Sequence, residues 1–162
     1  MKFFKLTLII GLSVATLSPS LHASVKTFER MKLLNTFTKP EEVIKYYCAR
    51  DAQGFVWAGL LDGELKAFTL WPTAPAYDSF YVATKYEIGP PQYASAEQAS
   101  VEVKYDVKAI SDGHGTVVPI DNRKRNIVFE LKKDRGSWKI AEPGPSSLPP
   151  VLLESFLPAS SD

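Results

Sequence analysis

The chain has 162 residues, a formal net charge of +1, one cysteine and two histidines. That length holds one ordinary domain and excludes two, and near-neutrality excludes a long-range pull toward nucleic acid or anionic lipid. The lone Cys48 rules out an internal disulfide. A zinc site of the usual kind needs three or four Cys or His ligands; removal of the signal peptide expected over 1–23 takes His22 and leaves only Cys48 and His114, and neither a phosphate-binding glycine loop nor a nucleophile elbow is found. No cofactor is therefore expected.

Lys2 and Lys5 precede an apolar run from Leu6 to Leu17, followed by Pro19, Ser20 and the small residue Ala23. Basic, then apolar, then small is the order of a secretory signal peptide, with cleavage expected after Ala23 and the protein placed in the periplasm or medium. The run is shorter than the roughly 20 residues that span a bilayer, so no stable membrane anchor is expected. Loss of Lys2 and Lys5 from 19 basic residues leaves 17 against 18 acidic ones, a net charge of −1. The expected organisation is a signal peptide over 1–23, a lead-in over 24–36 that includes a short helix, a domain over 37–142, and a proline-rich tail over 143–162.

Thr38 to Glu41 has the form of a capping box with Pro40 in the first helical turn, which predicts a helix over 39–53 stopped by Gly54. Val43, Ile44, Tyr47 and Cys48 share its apolar face, and Cys48 reads there as a small buried hydrophobe. Two further short helices are predicted over 55–61 and 64–71, separated by Asp62-Gly63, and an irregular loop over 72–78. From residue 79 the period changes to two. Phe80, Val82, Thr84, Tyr86 and Ile88 alternate with polar neighbours, and Val101, Val103, Tyr105, Val107 and Ala109 do so more cleanly. Residues 111–115 read as a turn, His114 included. Short and long strands follow over 116–120 and 126–133, then a tight turn at Asp134-Arg135-Gly136 and a closing strand over 137–142. Short connections predict antiparallel pairing. A terminal helix is expected over 151–157. Helices first and strands after make an α+β fold, with N-terminal helices packed on a curved antiparallel sheet and Trp138, Phe129 and Val103 buried against Val43 and Tyr47.

The helix from Pro40 to Gly54 and the hairpin from Asn126 to Ile140, ending in Gly136-Ser137-Trp138-Lys139-Ile140, resemble the NTF2-like superfamily over roughly residues 37–142. The resemblance implies a cone-like fold shared with ketosteroid isomerases, scytalone dehydratases and SnoaL-like cyclases. It carries over no catalytic residue, because the acid–tyrosine and histidine–acid pairs of those enzymes have no matching positions here.

Candidate ligand-binding residues follow from spacing. Asp51 lies seven residues after Ile44, on or beside the inner helix face. In an apolar cavity its carboxyl would have a raised pKa and could act on a polar group; the plainer reading is a cap or ion pair near the helix end. Tyr47 belongs to a large tyrosine set with Tyr46, Tyr81, Tyr86, Tyr93 and Tyr105, suited to a pocket or simply to a core. Trp57 and Trp71 flank the helical region at the mouth of a cone, as ligand contacts or as packing. The basic run Arg123-Lys124-Arg125 reads as a solvated strand edge that discourages sheet pairing. The expected role is non-enzymatic binding of a small apolar ligand or a protein partner. The alternative is a cofactor-free isomerase, dehydratase or cyclase. A homodimer over the open sheet face, including Lys104 and Asp106, is the expected assembly, and no nucleic-acid partner is expected.

Overall fold

The computed structural model describes residues 36–74, 76–112, 116–144 and 147–157, all within one compact unit spanning Leu34–Asp162. The expected signal peptide and lead-in helix, and His114, lie outside the described residues. Helix α1 spans Pro40–Ala52. Its first turn is closed by Glu42, one position later than the capping box suggested. The Glu42 carboxylate accepts from the Thr38 N–H at 3.0 Å, the Thr38 hydroxyl at 3.2 Å and the Lys39 N–H at 3.2 Å. Gly54 ends the helix at φ +78, where a side chain would be strained and glycine is not.

The expected helix over 55–61 is absent: residues 53–61 form a run of turns. Two glycines explain this, because both Gly54 and Gly59 take positive φ and interrupt the helical ladder. Helix α2 spans Asp62–Phe68, so Asp62-Gly63 begins it instead of breaking it. It stops before Trp71 because Thr69 becomes extended and bridges to Ile140, with the Leu70 N–H donating to the Ile140 carbonyl at 2.8 Å.

Six strands follow: β1 (Phe80–Ile88), β2 (Gln92–Tyr93), β3 (Gln98–Ser111), β4 (Val117–Asp134), β5 (Ser137–Glu142) and β6 (Val151–Leu153). The sheet order is β5-β4-β3-β1-β6, with β2 pairing β3 off this path. The architecture is α+β, with few helices and a strongly curled sheet. The sheet is mixed, not wholly antiparallel, because β6 runs parallel to β1. The expected terminal helix is instead β6 followed by one 3-10 turn, Glu154–Phe156. Extended pairing draws in this segment: the Tyr81 N–H donates to the Pro150 carbonyl at 2.9 Å, and the Val151 N–H donates to Asp51.

Two irregularities bend the strands. In β1 a bulge places Val82 and Ala83 both inside, which breaks the simple alternation, and Thr84 turns outward. In β4 the pairs Val107–Arg123 and Ala109–Pro119 leave extra residues on β4. That bulge joins the two predicted strands into one and absorbs the polar stretch between them. Arg135 and Gly136, both at positive φ, make the turn into β5. The core lies between α1 and one sheet face. Val43, Tyr47, Val103, Phe129 and Trp138 are all buried there as the periodicities predicted, and the Tyr47 and Phe129 rings stand 5.5 Å apart.

Candidate functional site

The last turns of α1 build the site. Tyr47 and Asp51 are one helical turn apart on the buried face, with Cys48 beside them. An ion pair from Arg50 to Glu64 at 3.1 Å ties this end of α1 to α2, and Tyr46 donates to the same carboxylate at 2.9 Å. The Arg50 guanidinium also lies over the Phe55 ring at 4.0 Å. Orientation of the α1 terminus is thus set by two buried side chains that meet one partly exposed carboxylate.

Inside, Tyr47 is fully buried among Phe68, Trp71 and Phe129, its ring edge-on to Trp71 at 6.2 Å. Asp51 is 2% exposed. One of its carboxylate oxygens, Oδ2, accepts from the Val151 N–H at 3.1 Å; the other, Oδ1, has no hydrogen-bond partner among the described residues. The same is true of the buried Tyr47 hydroxyl, the Trp71 indole Nε1 and the Tyr77 hydroxyl. These groups lie near one another: Asp51 and Tyr77 both act electrostatically on Tyr47, and Asp51 acts on Tyr77. Each orphaned buried polar group costs about 1–3 kcal/mol relative to a satisfied one, so four in one cluster, the Asp51 carboxyl included, is an unusual concentration.

Burial sets the protonation state. It pushes the Asp51 carboxyl well above the usual carboxylate range, opposed only in part by the Val151 N–H. The phenols of Tyr47 and Tyr77 are raised, first by burial and then by Asp51. Cys48 is pushed up to about 12 by burial, and its Sγ sits 3.4 Å from the Tyr105 hydroxyl. Burial thus opposes charge on each titratable member of the cluster. In their neutral forms the carboxyl, the two phenols and the indole N–H can each donate a hydrogen bond.

Three of the four predicted ligand residues, Tyr47, Asp51 and Trp71, come together in this cluster. Trp57 does not join them through any described ring contact: it packs on Phe80 at 5.0 Å and is 37% exposed. Tyr77 is the member that sequence reasoning missed. It lies in the loop over 72–78, where no periodicity assigns a side chain to the interior; its one signal was an aromatic residue in an otherwise small and polar loop. The remaining tyrosines serve packing and linkage, as in Tyr86 against Tyr105 at 5.9 Å and Tyr81 accepting from Arg125 at 2.6 Å. Among the described residues there is no group of acidic, Cys or His side chains that could hold a metal, and no helix long and apolar enough to cross a membrane. No family of known proteins is matched by the chain, and no curated protein sequence is significantly similar to it.

Proposed function

We propose that this protein is an exported binding domain of the NTF2-like type that holds a small, largely apolar molecule between α1 and the sheet. The observation that carries the reading is the set of four orphaned polar atoms on Tyr47, Asp51, Trp71 and Tyr77 within an aromatic interior. An aromatic or alicyclic ligand with one or two carbonyl or hydroxyl groups would satisfy them, while its apolar body meets Phe68 and Phe129. The turn segment 53–61 follows directly on Asp51, and its two positive-φ glycines make it the natural element to move on ligand entry. Export rests on the basic, apolar and small order of the first 23 residues, and N-terminal sequencing of protein recovered from the periplasm or medium should begin at Ser24.

Titration with phenol, p-cresol and indole, followed by tryptophan fluorescence, tests the interior site. Binding should be saturable, blunted in Trp71→Phe and weakened in the Tyr47→Phe/Tyr77→Phe double variant. Absence of any saturable shift up to millimolar probe, together with a more stable double variant, would mean the hydroxyls are merely enclosed.

A cofactor-free isomerase, dehydratase or cyclase is the second reading. Its support is that a protonated carboxyl beside phenols can stabilise a developing oxyanion. It also needs a general base, and burial opposes the charged form of Asp51 that would serve as one. That favours binding over catalysis.

A further inference from the structure

We propose that the free edge of β4 takes up an extended acidic segment of a partner protein as an added strand. Strand β5 pairs with β4 only over Glu130–Asp134. From Val117 to Val128, β4 is paired with no strand but β3, residues 120–122 forming the bulge between two paired stretches, and among the described residues no other backbone hydrogen bond reaches it. One row of its N–H and C=O groups therefore points outward, and such a row is a template for another strand. Pro119 has no N–H, so pairing is confined to the stretch from Ile120 to Val128.

Charge selects the occupant. Arg123, Lys124 and Arg125 are consecutive and exposed at the centre of this stretch. Arg125 is held by the Tyr81 hydroxyl. No ion pair among the described residues engages Arg123 or Lys124, and the carboxylate facing Lys124 across the sheet, Asp106, is paired with Lys85 at 3.5 Å. A second copy docking antiparallel about this centre would set the three cations against their own kind, which opposes self-association. An acidic strand meets them favourably. Val128 and Val118, both exposed on the flanks, suit apolar residues at the ends of such a segment. The outward backbone row discriminates a peptide from a nucleic acid, which has no matching backbone pattern. This surface is independent of the interior cluster.

The test uses two fluorescein-labelled synthetic peptides, one alternating glutamate with valine and one alternating lysine with valine, read by anisotropy. Amide hydrogen exchange of the unlabelled complex locates the site. The acidic peptide should bind saturably, and the basic one should not. Added salt and the variant R123E/K124E should each weaken binding roughly tenfold or more, and alternate amides between Ile120 and Val128 should be slowed. Both side chains are exposed, so the variant should keep its fold by circular dichroism; if it does not, salt and the basic peptide decide. Equal binding of both peptides, or protection elsewhere, would overturn the proposal. Concentration-dependent protection of β4 without peptide would overturn it in favour of a second copy. An oligonucleotide that displaces the acidic peptide at lower concentration would overturn it in favour of nucleic acid.

Discussion

Replacing Asp51 by asparagine tests the electrostatics of the interior directly. In the unfolded chain this carboxyl titrates near 3.8, and in the folded protein burial raises it well above that value. Between the two values the native state holds a proton that the unfolded state has released, so stability falls as pH rises. The slope for one such group is at most about 1.4 kcal/mol per pH unit, and it flattens once pH passes the folded value. Asparagine cannot ionise, yet its amide oxygen can still accept from the Val151 N–H. The stability of Asp51→Asn relative to the parent should therefore be smallest near pH 4 and grow with pH until the folded carboxyl itself ionises. Urea denaturation of both proteins from pH 4 to 8, with matched m-values, measures this. Parallel stability curves would refute the reasoning. So would a parent that gains on the variant as pH rises, since that would mean the charged carboxylate is the favoured form.

Tyr47→Phe removes a hydroxyl that has no partner among the described residues; its unfolding free energy in urea should hold or rise, by up to about 1 kcal/mol, and a loss above about 2 kcal/mol would reveal a hydrogen bond to that oxygen. Trp138→Ala empties a buried site on β5 and should cost about 3–5 kcal/mol in the same assay, whereas a cost below about 1 would place the indole in solvent. Gly54→Ala should cost at least about 1–2 kcal/mol, because the position holds φ +78 and an added Cβ would lie 2.9 Å from Leu152 Cδ1. The double variant with Leu152→Ala should recover the steric part of that loss and leave the backbone part, as thermal melts of the single and double variants would show.

Local patterns told most where one face of an element is buried along its whole length. The period of β3 and the spacing of Val43, Ile44 and Tyr47 named the core, because alternation and helical repeat translate directly into facing sides. The stop at Gly54 and the turn at Gly136 were also legible, since only glycine takes those backbone angles freely. Short elements were not. Residues 55–61 and 151–157 are apolar enough for helices, but their conformations were decided by two glycines in one case and by distant pairing with Tyr81 and Asp51 in the other. β4 read as two strands because a bulge, invisible to a fixed period, carries the chain through its polar middle.

The site divides in the same way. Helical spacing alone put Tyr47 and Asp51 on one face. Trp71 was named only for its position near a cone's mouth, and Tyr77 was passed over, because loops carry no period that assigns a direction. Only the tertiary structure could bring Trp71 against Tyr47 and Tyr77 near Asp51, bind the carboxyl to a backbone N–H one hundred residues away and seal it from water. Burial is a property of the whole packed interior, so the raised pKa of Asp51, unlike its place on the helix, is written in no local stretch of sequence.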